Sequence, residues 1–204
     1  MNTLVLEETE NGLQPIDVYV KLANDRILFL TNQITDNLAT DIIATMILKD
    51  YENSMEKITL FINSEGGDIR NVFSIIDTMN MIECPVETIC IGSAMNEAAL
   101  ILASGTKGMR SATQNAIISC TQLVADFMMH TNMVDANNLM EILHVDNRRV
   151  MEIYSQTTGK SLKQVKADFE RQKFFMRFLT FVTLINWMTW EDTCLIVYRC
   201  SSSY

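Results

Sequence analysis

Glycine and proline are scarce in this chain, with seven and two among 204 residues, and after Gly159 neither occurs again. There is no Ser/Gly/Pro-rich stretch and no internal repeat, which excludes a linker-joined array; the length favours one globular domain with a sizeable core. Histidine is almost missing: His130 and His144 are the only two. Both fall in or before a long helical stretch, where they read as solvated or interface residues rather than as bases. Basic residues are outnumbered, 16 against 25 acidic ones, for a net charge of −9 and a pI near 4.7. A surface of that sign repels phosphate backbones and anionic headgroups, so neither nucleic acid nor a membrane is expected as a partner.

The five cysteines, Cys84, Cys90, Cys120, Cys194 and Cys200, form no C-x-x-C pair and are odd in number. That suits buried thiols in a reducing compartment; no metal and no cofactor are expected. Long uninterrupted apolar runs are missing too. The richest stretch, Phe174 to Tyr198, is cut by Arg177, Glu191 and Asp192 into pieces shorter than the ~20 residues a membrane span requires. The start, MNTLVLEETENGLQP, carries acids where a signal peptide has a basic region followed by an apolar run. A cytoplasmic product is the expectation, or a plastid stromal one if the gene lies there.

What is present is a β/α alternation. Residues 17–20 (DVYV) and 27–31 (ILFLT) read as strands, and 37–48 carries Leu38, Ile42, Ile43, Met46 and Ile47 at helical spacing. ITLFI at 58–62 reads as a strand ending in Asn63-Ser64-Glu65-Gly66-Gly67, after which Val72, Ile75, Ile76, Met79 and Ile82 mark a helix stopped by Pro85. VETICI at 86–91 is the next strand; a turn over 92–96 leads to an Ala-rich helix, Glu97 to Ser104. Two strand–turn–helix units with apolar strands imply a mainly parallel sheet covered by helices. Further on come a small turn from Thr106 to Arg110, a strand from Ala116 to Cys120 and a long helix around 136–157. That helix has a stripe of Leu139, Ile142, Leu143, Val150, Ile153 and Tyr154. Gly159 closes it, and Ser161 caps a short helix over 162–169.

The turn at Gly66-Gly67 is the first candidate for chemistry. Backbone N–H groups of a Gly-Gly turn between strand and helix approach a carbonyl without Cβ hindrance, as an oxyanion site requires, although the same dipeptide also serves as a plain tight connection. Order adds weight to it. Phe-Ile-Asn-Ser-x-Gly-Gly is followed by Ile-x-Asp-Thr-Met, Ile89-Cys90-Ile91-Gly92, an Ala-rich helix and Gly105-x-Lys107-Gly108-x-Arg110. Asp25-Arg26-Ile27-Leu28-Phe29-Leu30 precedes the series, and Thr158-Gly159-Lys160-Ser161-Leu162 comes near its end. From about Asp17 to Phe174 the chain resembles the proteolytic subunit of the Clp protease, the ClpP family.

The resemblance implies an α/β, crotonase-like spiral of short strands and helices with a protruding helical handle. It divides the chain into an N-terminal segment (1–16), a head (17–122 plus 158–176), a handle region (123–157) and a divergent tail (177–204). It further implies a Ser-His-Asp triad in a double-ring chamber fed with unfolded polypeptide by an AAA+ ATPase. The nucleophile of the family lies in Ala-Ser-Met-Gly, matched here by Met95-Asn96-Glu97-Ala98; Asn96 has no hydroxyl to acylate. The base follows an Asn-Ala-x-Ile strand, matched by Asn115 to Cys120, so Thr121 stands in its place, and a hydroxyl is far too weak a base. The acidic member falls in Asp-Arg-Asp, matched by Glu170-Arg171-Gln172, and Gln172 carries no charge to stabilise an imidazolium. Glu97 supplies the second oxyanion donor through its N–H yet adds an opposing carboxylate, and Glu65 replaces the family's Pro before Gly66.

Replacement hydroxyls or thiols, Ser64, Ser93 and Cys120, lie close in sequence but have no evident base. Glu170 and Arg171 match an acidic-Arg pair at the contact between rings, which implies assembly with ClpP-like subunits. The pattern is most similar to the inactive ClpR-type paralogues of mixed rings. An adaptor or assembly factor for Clp, or a peptidase with a relocated site, are the alternatives. Beyond Met176 the ClpP pattern is lost, as a frameshift or a divergent gene end would produce.

Overall fold

A computed structural model describes residues 3–9, 12–121, 123, 133–169, 173–176 and 196–197, the last two stretches through their main chain. The chain opens with a hairpin, β1 (Leu4–Thr9) against β2 (Gly12–Asp17), which places Pro15 opposite Leu6. Helix α1 (Val18–Asn24) follows. The strand expected over 17–20 is therefore a helix. Asp17 accepts the Tyr19 N–H at 2.8 Å and caps it, and Tyr19 sets its ring edge-on to Phe29, 5.5 Å between centroids. Local capping and an aromatic dock outweigh the β propensity of Val18 and Val20.

Strand β3 (Ile27–Thr31) pairs in parallel with β4 (Ile58–Ser64), and β4 with β5 (Val86–Met95). Each strand sends alternate residues into one core: Leu28 and Leu30, then Ile58, Leu60 and Ile62, then Val86 and Cys90. On the opposite face Phe29 stacks on Phe61 at 5.3 Å, beneath Tyr19. Helices α2 (Asp36–Glu52), α3 (Ile69–Met81) and α4 (Glu97–Ser104) cover the first face. In α4 every residue from Ala98 to Ala103 is buried, as a helix apolar on all sides must be. In α2 the buried set is Ala39, Ile42, Met46 and Lys49, whereas Ile47, expected on the apolar face, is exposed.

β5 is longer than the sequence pattern indicates and absorbs most of the expected turn at 92–96. Its first half pairs with β6 (Arg110–Ala112) and its second with β7 (Ile117–Cys120), both in parallel. Between Ile62↔Cys90 and Ser64↔Ala94 the register slips, so β5 carries a bulge there. Gly92 takes φ +90 at that point, and Asn63 Oδ1 accepts the Ser93 N–H at 3.0 Å in place of a ladder partner. β8 (Lys173–Met176) runs antiparallel to β7, and β9 (Ile196–Val197) antiparallel to β8.

Helix α5 (Met133–Thr158) begins three residues before the expected start. Its second half buries Asp146, Val150 and Tyr154, while Leu139, Met140, Ile142 and Val145 in the first half are exposed. Arg70 of α3 holds Asp146 at 2.6 Å. Helix α6 (Leu162–Phe169) has the expected bounds, and Ser161 and Gln164 cap it reciprocally.

One buried cation ties the sheet to α2. Arg26, at φ +62 and 9% exposed, donates to the carbonyls of Asn53 at 2.8 Å, Glu56 at 3.1 Å and Lys49. It thereby adds a donor to the carbonyls at and just beyond the carboxyl end of α2, where Lys49 O also accepts the Asn53 N–H. Replacing it with Met takes the donor from the Glu56 carbonyl and leaves Lys49 O to the Asn53 N–H and Asn53 O to the Cys84 thiol; Arg26→Met is expected to cost about 1–3 kcal/mol in urea unfolding, with an unchanged slope.

Candidate functional site

The end of β4 and the end of β5 approach each other at their carboxyl edges, where a parallel sheet places its chemistry. After Ser64 the chain turns through Glu65-Gly66-Gly67, and Asp68 caps α3 by accepting the Arg70 N–H at 2.7 Å. Both glycines are required, for different reasons. Gly66 has φ +110, in the left-handed region. Gly67 lies against Ile34: a Cβ there would sit 2.5 Å from the Ile34 carbonyl oxygen and 2.6 Å from its nitrogen. Hydrogen bonds from Ile34 N to Gly66 O, 3.0 Å, and from Asp68 N to Ile34 O, 3.3 Å, fasten the turn.

Asn96 stands between β5 and α4 with φ 51 and ψ −118. That conformation is sparsely populated for a residue with a Cβ, and such strain gathers at strand-to-helix turns that present a nucleophile. Here the turn presents an amide. The Asn96 backbone N–H donates to Ser119 O at 2.8 Å, which fixes it to β7. Its side chain donates from Nδ2 to Glu65 O at 3.0 Å and accepts at Oδ1 from Thr121 Oγ1 at 2.6 Å. The opposite amide orientation would set Oδ1 against a carbonyl oxygen, so the network fixes this one. Glu97, the first residue of α4, accepts the Gly67 N–H at its Oε2, 3.2 Å away.

Gly66, Gly67, Asn96, Glu97 and Thr121 thus come together, although the sequence spreads them over 56 positions from 66 to 121. Glu170, Arg171 and Gln172 lie outside the described residues, as does His130; β8 starts at Lys173, opposite Cys120. Proton flow across the pair at 96 and 121 is inverted relative to a nucleophile and its base. The side chain at 121 donates into 96, and neither group is ionisable near neutral pH.

The relocated nucleophiles fare no better. Ser64 is 2% exposed, donates to Asn32 O and accepts the Gly66 N–H at 3.1 Å. Ser93 Oγ donates to Asn63 Oδ1 at 3.2 Å. Neither is bonded to an imidazole among the described residues, and His144 is exposed on α5. Cys120 Sγ sits 3.2 Å from the Tyr154 hydroxyl. Burial pushes this thiol up to about 11, opposed by the Tyr154 hydrogen bond and reinforced by the Asp168 carboxylate. Burial likewise drives the Tyr154 phenol well above its usual range, with Cys120 and then Glu97 adding to the shift. Among the described residues no group of His, Cys, Asp and Glu is arranged to hold a metal ion, and no helix is long and apolar enough to cross a membrane.

Sequence reasoning missed two parts of this arrangement. The Tyr154–Cys120 contact joins residues on α5 and β7, and no spacing rule links them. The Asn63 side chain that replaces a ladder bond at Gly92 was visible only as a letter of the Asn-Ser-x-Gly-Gly motif.

A thiol raised to about 11 remains protonated at neutral pH. Iodoacetamide is therefore expected to modify Cys120 in the folded protein far more slowly at pH 7.5 than an ordinary thiol of pKa about 8.5, with a rate that still climbs above pH ~10. The same shift makes stability fall as pH rises from ~9 to ~11, because the unfolded chain loses this proton first. Mass-resolved labelling against pH reads the first effect, and urea unfolding against pH the second.

The geometry joins a Gly-Gly turn, a strained strand-to-helix residue and the end of β7 in one place, the arrangement that the ClpP resemblance implies. A family model described as Clp protease matches residues 9–177, most of the 204-residue chain, and ends where the ClpP pattern gives out in the sequence. This chain belongs to the Clp protease family.

Proposed function

We propose that this chain is a non-catalytic subunit of a Clp-type complex, sharing a mixed ring with active ClpP-like subunits. The observation that carries the reading is the 2.6 Å hydrogen bond from Thr121 Oγ1 to Asn96 Oδ1. Where the family has a nucleophile donating to a base, this chain has a hydroxyl donating to an amide, and neither can form an acyl-enzyme. Gln172 at the acidic position adds a third loss in the sequence.

In this reading residues 17–122 plus 158–176 form the head and 123–157 the handle. The exposed side chains of α5, Leu139 (47%), Met140 (40%), Ile142 (49%) and Val145 (52%), are then covered by neighbouring subunits, for which Glu170 and Arg171 supply a polar contact. The AAA+ ATPase and its unfolded polypeptide meet the ring as a whole, in the cytoplasm or a plastid stroma. A subunit of this kind contributes wall and geometry to the chamber and no turnover.

Purified alone, the chain is expected to leave a fluorogenic peptide uncleaved and to resist fluorophosphonate labelling. Mixed with an active ClpP subunit, it is expected to appear in native mass measurement as an integral part of the ring, in whole-subunit proportion. Substoichiometric attachment to an already complete ring favours an adaptor. Turnover by the chain alone, abolished on changing Ser64, Ser93 or Cys120, overturns the reading in favour of a relocated site.

A further inference from the structure

The Gly-Gly side of the cradle that a Clp-type hydrolase offers to a carbonyl oxygen is occupied in this chain from within. Gly67 N–H donates to Glu97 Oε2 at 3.2 Å, and Gly66 N–H to Ser64 Oγ at 3.1 Å. The Asn96 amide is spent on Glu65 O at 3.0 Å and on Thr121 at 2.6 Å. Each of these groups already has its partner inside the protein.

Glu97 is placed for this by the fold. It is the first residue of α4, where the helix dipole favours a carboxylate. The space its Oε2 takes is the space left open by the missing Cβ of Gly66, since a Cβ built there would collide with that oxygen. A peptide carbonyl seeking the Gly67 N–H must break a charge-assisted hydrogen bond and then rest beside the displaced carboxylate. The repulsion is greater still for a product carboxylate or a developing oxyanion, which carry the same charge as the occupant.

We propose that Glu97 is an internal ligand of the oxyanion cradle, a carboxylate stopper that denies the Gly67 N–H to peptide carbonyls and carboxylates. The inference rests on the family reading of the site but is independent of the triad. Returning Ser, His and Asp to positions 96, 121 and 172 rebuilds a nucleophile and leaves the cradle filled. Substitution of Glu97 by Met, the residue type that follows the nucleophile in the family pattern, empties it.

The direct test is amide exchange in the full-length chain, resolved to single residues by mass spectrometry with fragmentation. Glu97→Met is expected to speed exchange at Gly67 by about tenfold or more, the loss of one hydrogen bond to a charged group, while Gly66, held by Ser64, keeps its rate. An unchanged rate at Gly67 overturns the proposal; so does acceleration that spreads to Gly66 and along β4, which reports a loosened turn rather than a removed acceptor. A second arm compares fluorophosphonate labelling of N96S/T121H/Q172D with and without Glu97→Met. Labelling about tenfold faster with the fourth substitution supports the stopper, and equal labelling overturns it. Turnover by the unaltered chain would sink the non-catalytic reading and leave the exchange result at Gly67 to be judged by itself.

Discussion

The hydrogen bond from Ser93 N to the Asn63 side chain is the contact on which the site's construction depends. β5 pairs with β4 on both sides of Gly92, with β6 before it and with β7 after it, so its ladder changes at that point. The strand bulges at Gly92, where Asn63 Oδ1 stands in for the missing main-chain acceptor. The half of β5 before the bulge is shared with β6 and the half after it with β7. Because the second half is carried across to β7, Met95 ends opposite Ser119, and the next residue, Asn96, is delivered within reach of both Glu65 and Thr121.

The same displacement explains why the site's chemistry is so thoroughly internal. Asn96 is held by two backbone bonds and two side-chain bonds, and its strained φ and ψ are sustained by them. Asparagine suits the position because its amide both donates and accepts, bridging the carbonyl of one turn and the hydroxyl of another. Serine at 96 has a single proton to give and, with it donated to a base at 121, has no second donor for the Glu65 carbonyl.

Much of this architecture was legible in the sequence, for reasons that can be named. α4 and α6 have the expected bounds because apolar density, in one case, and a Ser-x-x-Gln cap, in the other, are local signals. The parallel core strands showed as apolar runs. Failures came where distant partners decide. Val18 and Val20 have β propensity, and the Asp17 cap together with the ring of Phe29, packed against Tyr19, makes the segment a helix. Gly92 looked like the start of a turn because its bulge is compensated by a side chain 29 positions earlier, Asn63. At the site, the residue types at 96, 97 and 121 were readable and so was the charge conflict that Glu97 introduces. Its settlement as a hydrogen bond to Gly67 was not readable, because that depends on the distance between two loops.

The close approach of Gly67 to Ile34 has a consequence for how degenerate members of such a family are interpreted. The backbone of Ile34 leaves no room for a side chain at 67, and the left-handed φ at 66 excludes most other residues, whatever the protein does. A Gly-Gly pair here is a steric requirement of joining β3, β4 and α3. Its presence in a sequence therefore testifies to the fold and is silent on whether any bond is cut.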